Sequence, residues 1–424
     1  MNQVSWLDTN FYIVSDKIQY TILGEVELDD PIDPELLQRV VEKVFHRFPY
    51  FSIRVIVNNG EYQTVPNTRS HKVLCSEGPL VLGSQELNYH LVAVSYYGNR
   101  MFFHFSHSIT DGIGRMPFTK SVIYYYLTEK YGIDIPSDGI YLADSDLYLD
   151  EIGEPLHFKE IRKADGEYYR PIGDACKVSA LYQIAEHERR AFRFSVDEAQ
   201  FIDLCRSLHA SPNSLVSVFL AQVLLEKYPQ IDQSIVVNLC VNMRPAFHNE
   251  HSHLLMLCNI PLHFTSQQSS LSLEELCART RADIREQTRE KNIRYICLKN
   301  IQEFEKIRKI RTIEKRHMIA ERCIHGKEGF LSPTYTVSYV GKNSMGVLSP
   351  YIRSMYTFVD TIPDDGAMIE ITSVNGRIFF NYLQDFADAV FAEALAEKIR
   401  SFGVEVSDMS CGSVNTPRIH LPEA

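Results

Sequence analysis

The 424-residue sequence has no Walker loop, no GxGxxG and no GxSxG. Nucleotide hydrolysis, dinucleotide redox chemistry and the serine-hydrolase elbow are therefore set aside at the outset. It also lacks any CxxC pair, and its nine cysteines are scattered: Cys75, Cys176, Cys205, Cys240, Cys258, Cys277, Cys297, Cys323 and Cys411. An odd number of isolated cysteines, most of them inside apolar patterns, points to reduced thiols and a cytoplasmic setting, not to a disulfide framework or a zinc knuckle. The opening residues carry no basic region followed by an apolar run, so no secretory signal is expected. The most apolar helical stretch, Ser214 to Leu225, is interrupted by Ser217 and Gln222 and is too short for a membrane span. Positive charge is also scarce, with 43 basic against 54 acidic residues and a net charge of -11, which argues against nucleic-acid binding.

What is present is an ordinary globular composition, 45% hydrophobic and 23% charged, in a chain long enough for two or three packing units. Asp33-Pro34-Glu35 starts a helix with Leu36, Leu37, Val40, Val41 and Val44 on one face. Strands are expected at Phe51–Val57 and Glu61–Val65 around Asn59-Gly60, then at Leu91–Tyr97 and Arg100–His107, with a helix from Arg115 to Tyr131. A less periodic stretch from Asp134 to Val178 separates this part from a second series. There, Arg190–Phe194 is a strand, Ser195 with Glu198 forms a capping box, and Pro212–Tyr228 is a broad apolar helix. Further strands fall at Ser234–Asn242, Thr334–Val340, Met368–Val374 and Arg377–Leu383, with a closing helix from Phe386. The expected class is α/β, with two half-domains of similar style at 1–165 and 186–424, a crossing segment at 166–185, and mixed sheets flanked by helices.

The segment Met101 to Gly114 reads MFFHFSHSITDGIG. A period of two puts Met101, Phe103, Phe105 and His107 on one face, with His107 at the strand end before a turn through Asp111-Gly112. An imidazole there, beside an aromatic wall, is placed to act as a neutral base near pH 7. Asp111 lies beyond the turn, where its natural work is to pair with a basic group and hold the loop.

His107-Ser-Ile-Thr-Asp111-Gly112 resembles the HxxxDG motif of the chloramphenicol acetyltransferase-like superfamily. That group includes nonribosomal peptide condensation domains, alcohol acyltransferases, polyketide-associated acyltransferases and plant acyl-CoA transferases. Other segments resemble the family in the same order: Asp33 to Leu37, Arg47-Phe48-Pro49, Val241-Asn242-Met243-Arg244-Pro245, Cys258-Asn259 and Val337-Ser338-Tyr339-Val340-Gly341. The resemblance implies two chloramphenicol acetyltransferase-like half-domains meeting at a central channel. It also implies transfer of an acyl group from a thioester to an alcohol or amine, with no covalent intermediate and no metal or permanently bound cofactor. His107 would be the general base and Asp111 a structural partner of Arg54 or Arg244, while Gly112 would leave room for the donor. Ser338 and Ser373 are candidates for oxyanion donors, and Asn242 for the channel wall. The donor would be an acyl-CoA or a phosphopantetheine thioester. There are departures: Ser106 stands before His107 where many condensation domains have a second histidine, and the DFGWG segment of the plant enzymes is missing. Tyr339 replaces the asparagine of the late strand, and Ser52 a common arginine.

Arg279 to Arg322 holds 14 basic and 7 acidic residues in an otherwise acidic chain. Solvated helix faces account for such a run, but Arg308, Lys309, Lys315 and Arg316 are candidates for a donor entrance. His248, His251 and His253 are expected in a polar solvated loop, and Glu370 with Asp364-Asp365 in surface turns. Three functions follow: a standalone acyl-CoA-dependent transferase; a condensing or acyl-transferring enzyme that takes its thioester from an acyl or peptidyl carrier protein in nonribosomal peptide, polyketide or lipopeptide assembly; and a non-catalytic docking module on the same fold.

Overall fold

A computed structural model describes residues 5–16, 18–156, 161, 172–181, 188–325, 333–341, 344–360, 366–413 and 416–423. Asp364 and Asp365 lie outside them. The first part of the chain contributes β1 (Thr21–Glu27), β2 (Ile53–Asn58), β3 (Glu61–Pro66), β4 (Val73–Cys75), β5 (Val81–Leu82), β6 (Val92–Tyr97) and β7 (Arg100–Ser106). The second contributes β8 (Arg190–Asp197), β9 (Ile235–Asn242), β10 (Leu257–Phe264), β11 (Tyr335–Tyr339), β12 (Ser354–Val359), β13 (Ala367–Val374) and β14 (Arg377–Gln384). Two short strands, β15 (Ser410–Ser413) and β16 (Arg418–Ile419), end the series.

Two mixed sheets result, in the orders β12-β1-β7-β6-β4 and β10-β9-β11-β13-β14-β8-β15. The chain segments do not separate cleanly between them. β12, drawn from residues 354–359, completes the first sheet by pairing antiparallel with β1, and β16 pairs with β5. The expected helix at Pro34 runs to Phe45, with Asp33 accepting from the Glu35 and Leu36 N–H groups as its cap. It packs on the helix Met116–Tyr131, where Phe45, Phe48, Phe51 and Phe105 gather around Phe118. Burial of such a ring contributes roughly 1.5–3 kcal/mol, which holds β7 and the turn after it in register.

One expected element moves. Ser195 does not open a capping box: β8 continues to Asp197, which caps the helix Glu198–Ser207 by accepting from Gln200 N–H. Ser195 instead accepts a hydrogen bond from Arg377. The alternating strand pattern outlasts the serine, so the aspartate two residues later takes the cap.

The second sheet has two unlike faces. Tyr335, Val337, Ile369, Ile371, Phe380, Tyr382 and Phe194 alternate onto one buried apolar face. The register sets Ser338 opposite Glu370, Glu370 opposite Asn381, and Asn381 opposite Arg193 on the other. This polar row meets the first sheet. Arg193 pairs with Glu25 on β1 at 3.3 Å, and Asn381 donates to the Thr357 carbonyl on β12 at 2.6 Å.

Candidate active site

His107 follows the last residue of β7 and starts the turn that leads to the helix Met116–Tyr131. Its backbone N–H donates to the Tyr20 carbonyl at 2.8 Å, and its ring stacks on the Tyr20 ring with centroids 4.7 Å apart and planes 9° from parallel. Nδ1 lies 2.8 Å from the Thr110 carbonyl oxygen. A carbonyl can only accept, so Nδ1 carries the proton and Nε2 keeps a free lone pair. Burial lowers the His107 pKa; the nearby Asp111 charge and the Thr110 hydrogen bond oppose that without reversing it. The ring is therefore neutral at pH 7, in the tautomer that a general base requires.

Asp111 secures the turn. Its Oδ1 accepts from the Ile113 and Gly114 N–H groups at 3.0 and 2.8 Å, and its Oδ2 from Met256 N–H at 2.8 Å. The cation paired to it is Arg244, with a nitrogen 3.0 Å from Oδ2 and both side chains almost wholly buried. Arg54, the other candidate, stands on β2 in the separate β2–β3 hairpin. Arg244 also donates to the Ser252 and Leu254 carbonyls and to Asn242 Oδ1. Asn242 thus orients Arg244, and its oxygen is committed to that arginine. Burial by itself would raise the Asp111 pKa, but the Arg244 charge and the Met256 and Gly114 N–H groups hold it below the usual carboxylate value.

The turn is gripped by the second part of the chain throughout. Leu255 N–H donates to the Ile109 carbonyl at 2.9 Å, and the Thr110 hydroxyl to the His253 carbonyl at 2.6 Å. A side chain on Gly112 would come within 3.4 Å of Val340, so this glycine lies against the end of β11. A methyl on Gly114 would collide with the His253 carbonyl and sit 2.7 Å from Thr110 Oγ1. Gly114→Ala is therefore expected to cost about 2–4 kcal/mol in stability through overpacking, and to lower turnover by shifting Thr110 away from His107. Chemical denaturation and the rate of thioester consumption measure the two effects.

Several residues that the sequence pattern places elsewhere, or does not single out, gather near the site. His253 is not in solvent: it is buried, with Nδ1 2.5 Å from the Tyr50 hydroxyl, which donates to Glu151 at 2.9 Å. Glu151 also takes a two-pronged bond from Arg47, at 2.7 and 2.9 Å. The loop of three histidines holds His248 out in solvent and stacks His251 on Tyr148, so its members do not converge. Arg115 is fully buried and passes β1 at Gly24, where an added methyl would meet its guanidinium. It reaches Thr357 Oγ1 at 2.5 Å, and burial pulls its pKa down to about 10. Glu370 is not in a surface turn but in the centre of β13, 2% exposed. Burial pushes its carboxyl up to about 7, opposed by a Ser338 hydrogen bond and the Arg115 charge.

The remaining candidates divide. Ser338 lies in the polar row between Glu370 and Cys240. Ser373 is on the other face of β13, fully buried and donating to Glu198 at 2.9 Å, so it does not point toward His107. Arg316 is buried too: it donates to Tyr12 and to the Ile310, Gly60 and Arg308 carbonyls, and pairs with Glu61 at 3.3 Å. It clamps helix Ile313–His325 to the first part of the chain and is not a surface charge. Arg308 shares Glu61 at 3.8 Å, while Lys309 and Lys315 are exposed.

With that geometry in place, comparison with solved structures is decisive for the fold. Polyketide synthase associated protein 5 from Mycobacterium tuberculosis superposes with a TM-score of 0.58 at 13% identity, covering 90% of this chain and 93% of that one. The first condensation domain of the CDA synthetase gives 0.58 at 12% identity, covering 94% of each. This chain has the two-lobed fold of condensation domains and related chloramphenicol acetyltransferase-like proteins. A condensation domain of the enacyloxin polyketide synthase, described for chain release, gives 0.55 at 10% identity over 95% of this chain and 83% of that one. No family model and no curated protein matches the sequence. The turn from His107 to Gly112 lies between the end of β7 and the segment that joins β9 to β10. Among the described residues no single helix is long and apolar enough to cross a membrane.

Proposed function

We propose that the protein is an acyltransferase that moves an acyl group from a thioester to an alcohol or amine. The observation that carries this reading is the state of His107: neutral by burial, with Nδ1–H committed to Thr110 and Nε2 left to accept. In the proposed step Nε2 takes the acceptor's proton as its oxygen or nitrogen bonds to the thioester carbonyl carbon. The tetrahedral oxyanion collapses, the carbon–sulfur bond breaks, and the departing thiolate recovers the proton from His107. No bond to the protein forms. Asp111 and Arg244 hold the turn, and Ser338, which also hydrogen-bonds Glu370, is the candidate oxyanion donor. Acyl-CoA consumption with a panel of alcohols and amines, read as thiol release, tests the reading. Failure of every donor and acceptor pair to react would count against it.

A second reading has its own support. The similar structures include condensation domains of the CDA synthetase and the enacyloxin polyketide synthase, so a thioester on a carrier-protein phosphopantetheine is the alternative donor. Either donor is anionic and approaches a protein of net charge -11. Lys309 and Lys315 are the exposed members of the proposed entrance. Screening limits their reach to about 8 Å at physiological ionic strength. Donor KM is expected to rise with salt, and the double reversal Lys309→Glu, Lys315→Glu to reproduce the rise with acceptor KM unchanged. A flat donor KM under both treatments retires the entrance and leaves His107 untouched.

A further inference from the structure

Beside the site, a cavity of about 90 Å³ opens between the N-terminal segment and the β9–β10 edge of the second sheet. Three of its lining residues carry a buried polar atom with no hydrogen-bond partner: Trp6 Nε1, Asn238 Oδ1 and Asn259 Oδ1. Trp6 is 4% exposed and Asn238 1%. An unsatisfied buried donor or acceptor costs about 1–3 kcal/mol, so a ligand in this space is favoured when it pairs with all three atoms.

Their chemistry defines the occupant. The indole N–H needs an acceptor, and the two amide oxygens need donors. A further amide, Asn300, lines the same space, and no charged side chain among the described residues does. An ammonium or carboxylate would enter without a counter-charge and keep its desolvation penalty. Hydroxyl groups donate and accept at once and carry no such penalty.

The cavity is also tied to the catalytic turn. Tyr20, which lines it, stacks on His107. Alternation along β9 puts Asn238, Cys240 and Asn242 on one face, and Asn242 accepts from Arg244, the partner of Asp111. We propose that this cavity is the acceptor subsite, and that it holds the non-reacting part of a neutral, polyhydroxylated small molecule next to the Tyr20 ring that stacks on His107. The proposal rests on the acyl-transfer reading and narrows the acceptor to uncharged polyols over aminoacyl groups.

The test is a binding measurement that needs no turnover. Ligand-observed saturation-transfer NMR is recorded with methyl glucoside, myo-inositol and 1,2-butanediol, and with the charged probes glycine and ethanolamine. The proteins are wild type, Asn238→Leu and Trp6→Phe. Trp6→Phe keeps an aromatic ring near Phe304, which Trp6 meets edge-on at 5.3 Å, and removes the N–H together with part of the indole. The neutral polyols are expected to bind wild type, and to bind each cavity variant three- to tenfold more weakly, the share of one hydrogen bond. Binding of none of the polyols, or equal binding to the cavity variants, would overturn the proposal and mark the cavity as a water site, and preference for the charged probes would overturn it in favour of a charged occupant. Thiol release by wild type against His107→Ala reports separately on acyl transfer, so one idea can fall without the other.

Discussion

His107→Ala is expected to fold with an unchanged melting temperature and to lose acyl transfer by about 10²–10⁴-fold, the usual contribution of a positioned general base. The side chain makes one hydrogen bond, from Nδ1 to the Thr110 carbonyl, and one stacking contact with Tyr20. The clamp on the turn runs instead through the Asp111 carboxylate, the Thr110 hydroxyl and Leu255 N–H, and the substitution removes only the bond to the Thr110 carbonyl. Rate and stability therefore separate. The pH dependence carries its own signature. Burial lowers the His107 pKa, so the active neutral form persists below the ordinary histidine value of about 6.5. The acid limb of kcat/KM is expected below pH 6.5, rising with pH and then flat through neutrality. An acid limb above 6.5 would contradict the environment described for the ring.

Asp111→Asn is the second large expectation, and it is chiefly a loss of stability. The substitution leaves the buried Arg244 guanidinium without its counter-charge, and breaking such a pair from one side costs about 3–5 kcal/mol. Turnover falls as well, because the turn that carries His107 loosens, but the melting temperature falls first. The linkage to pH has a fixed sign. Asp111 titrates lower folded than unfolded, so its contribution is full above the unfolded pKa of about 3.9 and is lost as pH falls through the lower folded value. Wild type is expected to lose stability steeply below about pH 4, and Asp111→Asn to show a shallower acid dependence. An unchanged melting temperature together with a rate loss as large as that of His107→Ala would move Asp111 from scaffold to chemistry.

How much of this was legible in the sequence depends on how local each signal is. The β6–β7 hairpin, the helix capped by Asp33 and the HxxxDG turn are written in short periodic stretches and turn residues, and they stand where the pattern put them. Arg244 was one of two arginines equally compatible with Asp111, and only the crossing of β9 toward the turn separates it from Arg54. Tyr20, Arg115 and the Arg47–Glu151–Tyr50–His253 network reach the site through tertiary contacts between distant segments, for which a single sequence has no marker. Glu370 and Ser373 are a different case. The strand is expected there, but Glu370 is expected in a surface turn; alternation along β13 puts the two on opposite faces, with Glu370 on the one that meets the first sheet. Arg316 shows the limit of charge counting: a basic run gives sign and density, but not which guanidinium is buried against Tyr12 and Gly60. Strands β1 and β12 also escaped notice, and β12 crosses to the first sheet by a long-range pairing that local pattern does not encode.

The central claim is direct transfer at a neutral His107, and the most direct measurement is a single-turnover experiment with acyl-CoA or acyl-pantetheine and a reactive acceptor, followed by intact-protein mass spectrometry. The account predicts thiol and acylated acceptor in equal amounts, no acyl adduct on the protein at any time, and a rate about 10²–10⁴-fold lower in His107→Ala. An acyl-protein species that forms and then decays into product, or wild-type turnover by folded His107→Ala, would contradict it.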